Sequence, residues 1–150
     1  MRIFGTGLAL CIACLCLGVI SANAQTFPDI IISGSDVVKV YDGDTITVNI
    51  PAYPALIGDS ISIRIAGIDT PEIRSKQPCL KAKAQSAKAY VQSMLQKASQ
   101  VKIANVKRGK YFRIVGEVWI DGVNLGQALI KAKLALPYDG KTKSRWECTN

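Results

Sequence analysis

The 150-residue sequence contains no histidine. That absence removes every mechanism in which an imidazole is the base, the partner of a nucleophile or a metal ligand. Ser-His-Asp triads, His-metal nucleases and His-containing zinc sites are therefore excluded. Acid and base chemistry falls to carboxylates, lysine or tyrosine. Long apolar runs are also missing. The strongest, Leu8 to Ile20, has about 13 residues, short of the roughly 18 to 20 that a bilayer-spanning helix needs. Arg2 precedes this run and Ala22-Asn23-Ala24 follows it, which is the pattern of a cleaved secretory signal. The expected organisation is a leader over 1–24 and one domain over 25–150, exported to the periplasm or the medium, with no stable membrane anchor. None of Cys11, Cys14 and Cys16 follows a Leu-Ala-Gly type box, which speaks against lipid anchoring. Repeats and low-complexity stretches are absent. Acidic residues are few, 11 Asp and Glu against 19 Lys and Arg, and the net charge is +8. A polyanion is the natural partner of such a chain, although charge names a class of partner and never a reaction.

Of the five cysteines, three fall in the leader. Cys79 and Cys148 remain, an even pair in an oxidising compartment, and a disulfide between them is expected. Closing a loop of about 70 residues would stabilise the fold by roughly 4 kcal/mol in the chain-entropy description. Two cysteines without histidine cannot build a zinc site.

Alternation and turn residues set out the rest. Val37 to Tyr41 and Thr45 to Ile50 predict two strands around a tight Asp42-Gly43 turn, and Pro51 to Ser60 predicts a loop. Ile61, Ile63 and Ile65 alternate with Ser62, Arg64 and Ala66, a third strand with Arg64 off the core face. After Pro71 and Pro78, the positions Leu80, Ala84, Ala87, Val91, Met94, Leu95 and Ala98 repeat at helical spacing. Val101 to Val106 and Tyr111 to Ile120 predict a hairpin across a basic turn, Lys107 to Lys110. Asn124 opens a short helix that Pro137 stops. Three strands, a helix, two strands and a helix is the order of a small, mainly β barrel of the oligonucleotide-binding type with packed helices, an α+β fold. An open sheet with packed helices shares that order.

Two acidic clusters carry chemistry. The first is Asp42-Gly43-Asp44-Thr45; the second ends the stretch Arg64-Ile65-Ala66-Gly67-Ile68-Asp69-Thr70-Pro71-Glu72. Each alone reads as a turn. Together, at adjoining strand ends in a basic protein, they offer the convergent carboxylates and backbone carbonyls that a hard cation such as Ca²⁺ requires, with Pro71 fixing the backbone beside them. Lys107, Arg108, Lys110, Tyr111, Phe112 and Arg113 form a basic, aromatic-interleaved stretch able to hold a nucleic-acid backbone and stack a base. The plain alternatives are a solvated strand position for Arg64 and a cross-strand ion pair with Glu117 for Arg113.

The combination resembles the staphylococcal-nuclease-like, or thermonuclease, family from about Val37 to Tyr138. The shared pattern is an Asp-Gly-Asp-Thr turn, an Arg followed by Asp-Thr-Pro-Glu, a Lys-Tyr-x-Arg segment, then Asp-Gly, Asn-Leu and an Ala-Leu helix. The resemblance implies a five-stranded oligonucleotide-binding-type barrel with two to three packed helices. It also implies a monomeric, Ca²⁺-dependent endonuclease that hydrolyses DNA and RNA to 3′-phosphates. By the same resemblance Asp44 and Asp69 are carboxylate ligands of Ca²⁺, Thr70 contributes its carbonyl, and Asp42 supports them. Glu72 matches the general base, Arg64 and Arg113 the guanidiniums on the scissile phosphate, and Lys110, Tyr111 and Tyr138 contact substrate. Phe112 departs from the pattern, standing where the family usually has glycine. The chain also ends soon after Trp146, where some members carry a long helix, and the disulfide is expected to take over its anchoring. The competing function is a barrel that binds single-stranded nucleic acid without cutting it.

Overall fold

A computed structural model describes residues 27–143 and 145–148; the leader expected at 1–24 lies outside them. The strands are β1 (Ile30–Ser33), β2 (Val37–Val40), β3 (Thr45–Val48), β4 (Ile61–Ile65), β5 (Ile68–Asp69), β6 (Gln100–Arg108), β7 (Ile114–Ile120), β8 (Val123–Asn124) and β9 (Leu136–Pro137). The helices are the single turn α1 (Ala55–Gly58), the long α2 (Pro78–Leu95) and α3 (Leu125–Lys131).

The main sheet runs β1-β6-β7-β4-β3-β2, with β8 paired to β7, while β5 and β9 form a separate pair. Laid flat, six strands would hold β1 and β2 roughly 24 Å apart. Yet only the 3-10 turn Gly34–Asp36 separates β1 from β2 in the chain, and three residues span about 10 Å at most. The sheet must curl on itself, which gives the mainly β, oligonucleotide-binding-type α+β fold. Ser33 and Asp36 cap the turn reciprocally.

Register follows the alternation. Ile46 faces Ile63 and Val48 faces Ile61 across β3 and β4, and Val101 faces Ile120 and Ile103 faces Val118 across β6 and β7. These side chains meet Ala87, Val91 and Leu95 of α2 and Leu125 and Leu129 of α3 in one core. The helix α2 begins with Pro78, where a missing N–H costs nothing. Asn124 caps α3 by accepting from the Gln127 N–H at 3.0 Å.

Several elements differ from the sequence expectation. β1 has no signal of its own in the sequence, because Ile30-Ile31-Ile32 lacks alternation, yet Ile30 and Ile32 are buried and Ile31 is exposed. A helical turn, α1, replaces part of the expected loop. Tyr111, Phe112 and Arg113 lie in the turn before β7, not in the strand. Tyr111 and Phe112 both take φ +57°, a left-handed conformation that breaks a strand and that glycine adopts most readily. The glycine usual at the Phe112 position is thereby explained. Lys107 and Arg108, expected in the turn, belong to β6.

The two Asp-Gly pairs also part company. Asp121 and Gly122 have φ of +46° and +84° and join the facing residues Ile120 and Val123, the two-residue hairpin that Asp-Gly favours. Neither Asp42 nor Gly43 has a positive φ. The β2–β3 connection is a wider loop, Tyr41–Asp44, closed by Tyr41 N–H donating to Thr45 O at 2.9 Å.

Candidate active site

Gly43 brings the first acidic cluster to the second. A Cβ there would stand 2.6 Å from Ala87 Cβ and 2.9 Å from Thr70 Cγ2, so only glycine lets the loop lie between α2 and the Asp69-Thr70 segment. Asp44 then reaches the chain at position 70. Its Oδ2 accepts from Thr70 N–H and from Thr70 Oγ1, each at 3.0 Å, and its Oδ1 accepts from Thr45 Oγ1 at 3.0 Å. The N–H of Ile65 donates to Asp44 O at 2.8 Å, extending the β3–β4 ladder past its end.

Arg64 is the hub. It projects from β4 opposite Thr45 on one side and Val115 on the other. Its guanidinium pairs with Asp44 Oδ2, donates to Ile68 O at 3.2 Å and lies 3.4 Å from Asp69 Oδ1. Asp44 and Asp69 are only 6% and 2% exposed, and buried carboxylates persist only when paired and hydrogen bonded. The solvated-strand alternative for Arg64 is set aside by these contacts. Asp42 accepts from Asp44 N–H at 3.2 Å. Burial, followed by the neighbouring Asp44 charge, pushes the Asp42 carboxyl up to about 6.

Two side chains of the C-terminal segment complete the cluster, and sequence reasoning missed both. Lys143 Nζ stands 3.0 Å from Asp69 Oδ1 and 2.9 Å from Glu72 Oε1. Trp146 Nε1 donates to Asp69 Oδ2 at 3.3 Å. Partial burial works against the Lys143 charge, but hydrogen bonds to Glu72 and Asp69 outweigh it and raise the ammonium above the ordinary lysine value. The pairing of Cys79 with Cys148, Cα atoms 6.0 Å apart, holds this segment at the start of α2. That expected bridge was the available signal, since it returns the tail to within a few residues of Glu72. Between the tail and the Asp69–Gln77 segment lies a cleft of about 590 Å³.

Other expected site residues stand apart from the carboxylates. Arg113 precedes Ile114, which faces Ile63 in the parallel β4–β7 pair, so it stands at the entry to the strand that pairs with the strand of Arg64. Its guanidinium has no hydrogen-bond or ion-pair partner among the described residues, and Glu117 is instead bound to Asn105 Nδ2 at 2.8 Å. Lys110 and Tyr111 are exposed at the β6–β7 turn. Tyr138 follows β9, its N–H donating to Gly67 O at 3.0 Å, which sets it beside the strand that carries Asp69.

Asp44, Asp69 and the Thr70 carbonyl are oxygen donors only. Among the described residues no three His, Cys, Asp or Glu side chains are grouped to hold a metal, so an ion here would need main-chain oxygen and water besides the two carboxylates. That composition fits a hard cation and not a thiophilic one.

Residues 62–148 match the family model described as Staphylococcal nuclease homologue. The chain belongs to the staphylococcal nuclease homologue family. The match includes Arg64, Asp69, Thr70, Glu72 and Arg113 but begins after Asp42 and Asp44; Asp44 joins this cluster through its hydrogen bonds from Thr70 and its ion pair with Arg64, and Asp42 joins it only through the Asp44 N–H. Among curated proteins the chain is 34% identical over 95 residues to the "Probable endonuclease LCL3" of Pyricularia oryzae, covering 58% of this chain and 35% of that protein. The chain thus spans about a third of the length of that relative.

Proposed function

We propose that the protein is an exported, metal-dependent nuclease that hydrolyses phosphodiester bonds of DNA and RNA and leaves 3′-phosphates. The observation that carries this reading is the Arg64-centred cluster, in which a guanidinium joins two buried carboxylates beside Glu72. Ca²⁺ held by Asp44, Asp69 and the Thr70 carbonyl would supply positive charge to the phosphate oxygens. Arg64 and Arg113 act on the same problem, since charge grows on those oxygens as water attacks, and a guanidinium offers two parallel donors that fit phosphate. Glu72 accepts the proton of the attacking water. The new P–O bond forms as the bond to the 5′ oxygen breaks; the phosphate stays on the 3′ side and the 5′ oxygen takes up a proton. Lys110, Tyr111 and Tyr138 hold the flanking strand.

Tyr111 and Phe112, 90% and 86% exposed on a basic turn, favour a second reading, a single-strand binder that uses stacking. Cleavage of single-stranded DNA and RNA with Ca²⁺ and with chelator, followed by analysis of product ends, separates the two. Ca²⁺-dependent 3′-phosphate ends are expected; tight binding without cleavage in any divalent metal would favour the binder.

A further inference from the structure

Glu72 is an unusual place to find a fixed base. Its side chain is 68% exposed, and among the described residues Lys143 is its sole side-chain partner. An exposed glutamate samples many rotamers, whereas proton abstraction needs the carboxylate held toward the water it serves. Lys143, itself 52% exposed, is held between two carboxylates. Its ammonium spans Glu72 and the buried Asp69, and three residues on Trp146 binds the other Asp69 oxygen. The Trp146 ring also stacks under Lys83 Nζ of α2, 5.1 Å from its centroid. Beyond it, Cys148 is covalently tied to Cys79.

We infer that Lys143 is a positioning residue of the site, orienting Glu72 against Asp69, and that the Cys79–Cys148 bridge acts on the reaction through it. The inference rests on the nuclease reading and adds a role for the C-terminal segment, which works as a strap carrying a cation into the site.

The test uses the full disulfide-bonded protein and two readouts. In steady-state cleavage, Lys143→Met should lower kcat about tenfold or more with KM within about twofold, since misplacement of a catalytic group costs rate far more than binding. Lys143→Arg should restore most of the loss. Cys79→Ser/Cys148→Ser should lower kcat similarly, and combining it with Lys143→Met should add little, because both remove one contact. An increase in kcat would overturn the inference and show the strap to be a block; a rise in KM alone would overturn it in favour of plain phosphate binding. Melting of each variant identifies loss of fold, and the Lys143→Arg protein keeps the test decisive if Lys143→Met is unstable. The second readout needs no catalysis. After reductive ¹³C-methylation, the Lys143 resonance, assigned by its loss in Lys143→Arg, should lie away from the exposed lysines and move toward them in Glu72→Gln and on reduction. A Lys143 signal among the free lysines would overturn the inference. Absence of cleavage by the wild-type protein would instead sink the nuclease reading, while the resonance still distinguishes a held Lys143 from a free one.

Discussion

At the scale of single residues, the roles proposed for the acidic side chains of the site can be separated by substitution. Glu72 lies at the surface and Asp44 is buried, so Glu72→Gln should leave folding, Ca²⁺ binding and nucleotide binding near wild type while reducing turnover by about 10² to 10⁴; calorimetry beside cleavage rates checks this, and a parallel loss of binding would refute the role of base. Asp44→Ala should weaken Ca²⁺ binding and also cost about 3 kcal/mol of stability, because Arg64 and the Thr70 N–H lose a buried partner. Asp42 gives a pH signature. Its carboxyl is raised from 3.8 to about 6, so between these values the folded state binds more protons than the unfolded one, and stability falls as pH rises through that window. The loss is at most about 3 kcal/mol. Urea titrations in chelator at pH 4 and 7 should show it in the wild type and not in Asp42→Asn.

At the scale of elements, the contact between the Tyr41–Asp44 loop and α2 decides whether the site assembles. Both partners are small: Gly43 against Ala87, with Thr70 alongside. Gly43→Ala should destabilise by about 1 to 3 kcal/mol, the usual cost of overpacking. It should also loosen Asp44 from Thr70, lowering metal affinity beyond the stability effect. Adding Ala87→Gly removes the opposing methyl group, and urea midpoints should show partial recovery in the double variant. If the two substitutions simply add, the loop has some other reason to contain glycine. The same scale explains the two Asp-Gly pairs. One closes a hairpin through its backbone conformation, and the other exists because a helix passes too close for any side chain.

At the scale of the molecule, the barrel and the strap are distinct supports. The core runs from Ile30 of β1 to Ala135, just past α3, whereas among the described residues from Tyr138 onward none is fully buried, and the tail is held by the site carboxylates, Trp146 and the bridge. A bridge across 69 positions restricts the unfolded chain considerably, so reduction should lower stability by about 2 to 4 kcal/mol. Melting with and without reductant measures it. Unchanged melting would mean that the tail contributes nothing to global stability and that the bridge serves the site alone.

Alternation of Ile and Val placed β3, β4, β6 and the core half of β7, helical spacing placed α2 and α3, and the two cysteines announced their pairing, because these signals are local or need only a compartment. The acidic motifs identified Asp44, Asp69, Thr70, Glu72 and Arg64 as one group by their resemblance to a family pattern. Whether they touch was a tertiary matter. It depended on the curl that β1 and β2 impose on the sheet, on the missing side chain of Gly43, and on a parallel β4–β7 pairing that no spacing along the chain encodes. Lys143 and Trp146 had only an indirect signal, the Cys79–Cys148 pairing that returns the tail toward Glu72. A lysine and a tryptophan in a polar tail carry no signature of their own, and their partners lie 71 and 77 residues away, joined to them only when the folded chain returns the tail to Asp69.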